Sequence, residues 1–250
     1  DQYPVAKALI EQADKALGES LSAVMFEGPG EELTRTCNCQ PALYVHGLAC
    51  LAVLKELVPS LNPVAAAGLS LGEFTAHAAA GTYSFEEGLR LVQKRGAFME
   101  EACNATKGTM AAMIGGTDEN VIKLAQECDV DVANFNCPGQ TVVSGTEEGV
   151  AKAVAGAKAA GCKIAKKLNV AGAYHSRLMH SAMVKLAEEL KNISFGTPSM
   201  PVYCNYEARV VEGPDDIRSM LEHQVCGSVR WTASMQKLVD QGHRLFIELG

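Results

Sequence analysis

The sequence predicts an α/β fold: a large α/β domain into which a small ferredoxin-like domain is inserted. A serine flanked by glycines, Gly68-Leu69-Ser70-Leu71-Gly72, stands where a short apolar run gives way to a helical pattern. Residues 104–171 follow the order β-α-β-β-α-β, the pattern of a ferredoxin-like unit. Helix and strand patterns resume after it, so residues 1–103 and 172–250 form the large domain around the insert. With 250 residues, 48% of them hydrophobic, the chain can bury a core of this size.

The elements follow in order. Apolar spacing predicts helices over residues 3–17 and 41–58. Residues 63–67 read as a short buried strand, and 71–80 as the helix that follows the serine. Ser84 opens the next helix, to about residue 102, with Glu87 three positions on as a capping box. The insert has strands over 110–114, 131–135, 141–144 and 162–168, with helices over 118–128 and 147–160. The turn Pro138-Gly139 separates its two central strands. Beyond it come a periodic helix over 176–191, a strand over 201–204, helices over 214–224 and 232–241, and a last strand over 245–249.

Composition excludes several classes. Net charge is −7, pI is near 5.4, and no basic cluster carries interleaved aromatics, so nucleic acid is not an expected partner. No apolar stretch is expected to approach the ~20 residues that span a bilayer, and the first residues do not resemble a secretory signal. Nine cysteines, an odd number without CxxC spacing, point to reduced thiols in the cytoplasm. Cys37 and Cys39 are the one close pair, and no histidine beside them completes a zinc set, so no metal is expected.

A serine at a strand-to-helix turn suits a nucleophile elbow; a plain glycine-bounded turn is the other reading. In the elbow, a Cβ two residues to either side of Ser70 is expected to collide with the backbone. The Leu71 N–H then points where an oxyanion forms. Six histidines compete as its base. His77 lies seven positions on along the same helix, roughly 10 Å away by helical rise. His46 and His180 fall within amphipathic helices. His175 stands in a small-residue loop, Val170-Ala171-Gly172-Ala173-Tyr174-His175-Ser176, and is the candidate base, with a structural role beside a helix N-cap as the alternative.

No carboxylate between Ser70 and His175 marks itself as a triad acid; if His175 is oriented, a backbone carbonyl can stand in place of an aspartate. Arg95 shares the apolar stripe of Leu91, Val92, Phe98 and Met99 and must be paired if it faces inward. Its partner is either a protein carboxylate or helix carbonyls, or else a substrate carboxylate gripped by two hydrogen bonds. Lys163, Lys166 and Lys167 read as a solvated strand edge, with an acidic partner as the alternative, and Glu100-Glu101 and Glu188-Glu189 as solvent faces.

Taken together, six motifs resemble the malonyl-CoA:acyl-carrier-protein transacylases of fatty acid synthesis, related to the acyltransferase domains of polyketide synthases. They are Gln40-Pro41-Ala42-Leu43, Gly68-Leu69-Ser70-Leu71-Gly72-Glu73, Gln93-Lys94-Arg95-Gly96-Ala97-Phe98-Met99, Asn136-Cys137-Pro138-Gly139-Gln140, Gly172-Ala173-Tyr174-His175-Ser176, and Gln224-Val225 with Val229-Arg230-Trp231. The resemblance covers essentially the whole chain. It implies an α/β-hydrolase-like large domain, Ser70 as nucleophile, His175 as base, and the Gln224 backbone carbonyl as the acceptor that orients His175. It also implies Arg95 as clamp of the malonyl carboxylate and Leu71 N–H as oxyanion donor. Met99, Tyr174, Asn136 and Gln140 are implied near the substrate, with bulky Tyr174 matching the malonyl-selective pattern. No cofactor is implied beyond the coenzyme A thioester and the phosphopantetheine of acyl carrier protein, and a monomer is expected.

The resembled family opens with a strand and a Gly-Gln-Gly-x-Gln loop, whose last residue gives a second oxyanion donor, and continues past a Pro-Gly into a further helix. Against that pattern the sequence is expected to lack both end segments. Two other classes stay open at this point: a serine hydrolase that passes its acyl group to water, and a non-catalytic module that docks carrier protein.

Overall fold

The computed structural model describes residues 2–250. Helix α1 (Pro4–Leu17) begins with proline in its first turn, where a missing N–H costs nothing, and ends on Gly18 at φ +70°. Two short helices unforeseen in the sequence follow, α2 (Leu21–Glu27) and α3 (Gly30–Thr34). At seven and five residues they are too short to show a helical period. Helix α4 (Thr36–Leu57) starts five residues earlier than expected, because Pro41 lies inside it instead of opening it. By length and composition α4 is apolar enough to cross a bilayer, contrary to the expectation above. Here Tyr44 and Val45 are wholly buried in the core, and its polar Gln40 is engaged from within the protein.

Strand β1 (Ala66–Ala67) pairs in parallel with β6 (Val202–Tyr203), both shorter than expected. Helix α5 (Leu71–Ala79) leaves the end of β1 after a three-residue turn. Helix α6 (Phe85–Ala105) carries the foreseen capping box of Ser84 and Glu87 and packs along α4. The expected strand over 245–249 does not form: the segment has no ladder partner, and Leu245 stays 81% exposed. An apolar pattern becomes a strand only where its backbone groups find partners.

The middle of the chain holds β2 (Gly108–Ile114), α7 (Asp118–Glu127), β3 (Asp131–Cys137), β4 (Gln140–Thr146), α8 (Glu147–Gly156) and β5 (Ile164–Lys167). Its four strands form one antiparallel sheet in the order β3-β4-β2-β5. Ala111, Met113 and Val143 face α7 and α8, while Met110, Ala133 and Val142 face the other way, onto Leu168, Val170 and Tyr174. Strand alternation thus gives this sheet two jobs: its own core on one face, and support for the loop that holds His175 on the other. Strand β5 is an edge, and its lysines are solvated there as expected.

That loop runs into a 3₁₀ turn (Arg177–Met179) before helix α9 (His180–Lys191), so the helix starts later than the pattern suggested. Ser176 is the reason: its Oγ donates to Ala173 O at 2.6 Å and accepts from Leu178 N at 3.3 Å, which caps the turn. Helices α10 (Gly213–Gln224) and α11 (Trp231–Asp240) complete the chain's elements. Between them, Val229 pairs with β3 through Phe135 N–H to Val229 O (2.9 Å) and Val229 N–H to Ala133 O (2.8 Å). Glu100 departs from its expected solvated role, since it pairs with Arg35 at 2.9 Å and accepts from Cys37 N at the start of α4.

Candidate active site

The turn between β1 and α5 forces Ser70 to φ +53°, ψ −107°, a conformation a non-glycine residue adopts only when its surroundings over-determine it. Asn205, just past the end of the parallel neighbour β6, supplies that constraint. Its Oδ1 accepts from Ser70 N at 2.6 Å and its Nδ2 donates to Gly68 O at 2.7 Å, so one amide staples both sides of the turn.

The glycines are not equivalent. A Cβ on Gly68 would lie 1.9 Å from the Gly72 carbonyl carbon, whereas one on Gly72 would meet no heavy atom within 4 Å. The collision expected on both sides therefore exists on one. Gly68→Ala should cost about 3 kcal/mol or more, since the clash is with backbone that cannot step aside. Gly72→Ala, early in a helix, should be neutral or slightly stabilising, within ~1 kcal/mol. Urea unfolding of the two variants checks this; equal losses would contradict it.

His175, also at positive φ (+54°), lies only 4% exposed beneath this turn. Its Nε2 is 2.8 Å from Ser70 Oγ and its Nδ1 is 2.9 Å from Gln224 O. A carbonyl can only accept, so Nδ1 carries the proton and Nε2 presents a lone pair to the serine hydroxyl. Burial pushes the His175 pKa down to about 4, and the nearby Arg95 charge pushes the same way. The imidazole is then neutral, in its base form, at pH 7. Acylation measured as kcat/KM should stay flat from about pH 8 to about pH 5 and fall only as Nε2 protonates near 4. An acid limb near the ordinary histidine value, ~6.5, would contradict this environment.

Arg95 projects from α6 into the same space and is 1% exposed. Its Nη1 donates to Gln40 Oε1 at 2.6 Å, and its Nη2 to Gln224 Oε1 at 2.9 Å and Ser70 Oγ at 3.1 Å. The guanidinium carbon sits 5.1 Å from the Phe74 ring centroid, and Nε is buried without a partner. No carboxylate among the described residues forms an ion pair with it, so its neighbours are neutral amides and a hydroxyl rather than the protein acid or helix carbonyls considered above. Burial lowers its pKa to about 10. A buried cation whose direct hydrogen bonds all go to neutral groups, with Glu73 acting on it only across the Gln224 amide, is poised for an anionic ligand.

Three polar residues in this network were not assigned a role from sequence: Gln40, Glu73 and Asn205. Glu73 is fully buried, and its Oε2 accepts from Gln224 Nε2 at 2.7 Å and Asn205 N at 2.9 Å. Its signal was spacing: a carboxylate three residues after Ser70 on a helix shares the serine's inward face. For Asn205 the signal was topology, since ligand-side residues cluster at the carboxyl ends of neighbouring parallel strands.

The remaining expected residues divide. Met99 is buried and its Sδ accepts from Gln40 Nε2 at 3.4 Å, so it backs the amide that holds Arg95. Tyr174 hydrogen-bonds Thr36 through its hydroxyl at 2.7 Å, which ties the residue before His175 to the start of α4. Leu71 is the first residue of α5, so its N–H has no intrahelical acceptor. Asn136 and Gln140 lie in β3 and β4, and no hydrogen bond joins either to Ser70, Arg95 or His175. His77 is buried against Thr82 Oγ1 at 3.2 Å, far from a base's role, with its pKa lowered to about 4 by burial. His180 and Arg230 join His175 in lining a cleft of about 500 Å³ between the small sheet and α9.

A family model described as "Acyl transferase domain" matches residues 1–250. The malonyl CoA-acyl carrier protein transacylase of Bacillus subtilis (strain 168) is 42% identical over 255 residues, covering 100% of this chain and 80% of that protein. Among solved structures, the malonyl CoA-acyl carrier protein transacylase of Coxiella burnetii superposes with a TM-score of 0.93 at 35% identity, over 96% of this chain and 77% of that one. A malonyl-transacylase in complex with its type II polyketide acyl carrier protein superposes equally well, 0.93 at 37% identity, over 96% of this chain and 79% of that one.

Proposed function

The chain belongs to the acyl transferase domain family, and from that premise we propose that it transfers a malonyl group from malonyl-CoA to the phosphopantetheine thiol of acyl carrier protein through a malonyl ester of Ser70. The observation that carries this reading is Arg95: a buried guanidinium that touches no carboxylate among the described residues, 3.1 Å from the hydroxyl that would take the acyl group.

In the first half-reaction His175 Nε2 takes the Ser70 proton as Oγ attacks the thioester carbon. The carbonyl oxygen becomes an oxyanion, and the Leu71 N–H donates to it. The carbon–sulfur bond then breaks, and the departing coenzyme A sulfur takes the proton back from Nε2. Gln224 O holds Nδ1–H throughout, so the imidazole keeps one tautomer and the imidazolium is steadied as it forms. Once Oγ is esterified, Arg95 Nη2 exchanges its bond to the hydroxyl for the malonyl carboxylate. The phosphopantetheine thiol then repeats the steps in reverse. Both halves conserve oxidation state, and the residues named supply the acid–base chemistry.

The same reading extends to the architecture. Residues 1–103 and 172–250 form an α/β-hydrolase-like large domain, and residues 104–171 a ferredoxin-like insert; the strand order β3-β4-β2-β5 supports the latter. Tyr174, whose hydroxyl is bonded to Thr36, supports selectivity for malonyl over 2-branched acyl groups, since that bond must break for the ring to make room. Nine unpaired thiols fit action in the reducing cytoplasm.

Transfer is distinguished from hydrolysis by loading the protein with malonyl-CoA, removing excess, and adding either holo carrier protein or buffer. Rapid loss of the adduct only with carrier protein is expected. Equally rapid loss in buffer would indicate a hydrolase.

A further inference from the structure

One buried carboxylate stands at the junction of every functional group in the site. Glu73 Oε2 accepts from Gln224 Nε2 and from Asn205 N, at 2.7 and 2.9 Å. Through Asn205 it reaches the Ser70 turn, because the Asn205 side chain bonds both Ser70 N and Gly68 O. Through Gln224 it reaches the cation and the base: Gln224 Oε1 accepts from Arg95, Gln224 O accepts from His175, and Nε2 donates also to Ser70 O at 2.8 Å.

We propose that Glu73 is a positioning residue for acyl transfer: its carboxylate fixes which way the Gln224 amide points, and thereby aims Arg95 at the acyl carboxylate. This rests on the roles of Ser70 and Arg95 given above. The physical argument is one of polarity. An amide has a donor end and an acceptor end, and only one orientation puts the acceptor on a guanidinium. In that orientation the NH₂ end meets two acceptors, Glu73 Oε2 and Ser70 O. Flipped, the amide would set NH₂ against the Arg95 donors and its oxygen against a carboxylate. Gln40, the other amide on Arg95, has only the Met99 thioether behind it, so the strong orienting partner is Glu73.

The acceptor, not the charge, is what this role requires. Burial raises the Glu73 pKa to about 7, opposed by its two hydrogen bonds and by Arg95. With a proton on Oε1, which has no partner, Oε2 still accepts from both donors. Glutamine at 73 would present the same acceptor.

The test compares kcat/KM for malonyl-CoA and acetyl-CoA in the full chain with carrier protein as acceptor. Glu73→Leu is expected to lower the malonyl-to-acetyl ratio by ~10-fold or more, chiefly through a higher KM for malonyl-CoA, as a misaimed clamp would. Glu73→Gln should bring the ratio back to within ~3-fold of the parent, because orientation survives. A merely structural role would lower both substrates alike and leave the ratio unmoved. The proposal is overturned if Glu73→Leu keeps the parent ratio, or if Glu73→Gln is as impaired as Glu73→Leu. Should Glu73→Leu fail to fold, Gln224→Met, which keeps the backbone carbonyl on His175, must show the same loss of ratio; an unchanged ratio there overturns it equally. Failure of the parent protein to form any malonyl adduct would instead sink the functional reading itself.

Discussion

Ser70→Ala should abolish covalent capture of the malonyl group and lower transfer to carrier protein by ~10⁴-fold or more. Oγ lies 2.8 Å from Nε2 of a histidine whose Nδ1 is held by a backbone carbonyl, and no other hydroxyl among the described residues is bonded to His175. Alanine keeps the Cβ, so the turn held by Asn205 through the Ser70 backbone N–H survives, and the fold should be unaltered. Intact mass after brief exposure to malonyl-CoA reads the outcome directly. An adduct that persists in Ser70→Ala would move the nucleophile elsewhere, to one of the nine thiols first of all.

Arg95→Ala should lower kcat/KM for malonyl-CoA by ~10²–10³-fold and leave acetyl-CoA within ~10-fold of its parent value. The magnitude follows from removing a buried, charge-assisted grip on a carboxylate, where water cannot substitute. The asymmetry follows from position: Arg95 makes no hydrogen bond to His175, so the Ser70–His175 bond remains, and loss of the charge only lets the His175 pKa rise. Loss of the guanidinium leaves the acceptor oxygens of Gln40 and Gln224 without donors, so a modest fall in Tm is expected alongside. Equal losses for both substrates would remove Arg95 from selectivity and make it a scaffold residue.

Much of this was legible in the sequence, for identifiable reasons. The glycine-bounded serine, the small-residue loop around His175 and the charge in an apolar stripe at Arg95 each violate a local rule, and the structure brings these three violations together. The elements of the four-stranded sheet were legible because its strands alternate, and Thr117 and Thr146 accept at the N-termini of α7 and α8. What stayed hidden depends on distant partners. Glu73 and Asn205 are 132 residues apart, and nothing local in either announces the bond between them. The segment 245–249 shows the converse: a strand-like pattern with no ladder to join stays irregular. The start of α4 was misplaced because residues 36–40, Thr-Cys-Asn-Cys-Gln, carry little apolar spacing, yet the helix runs through Pro41.

The most direct test of the central claim, that a buried cation selects the acyl group that an adjacent serine accepts, is the intact mass of the protein after parallel brief exposure to malonyl-CoA and acetyl-CoA. The account predicts a single adduct from the first, located on the peptide that carries Ser70, and little from the second. Equal labelling by both, or labelling by neither in folded protein, would contradict it.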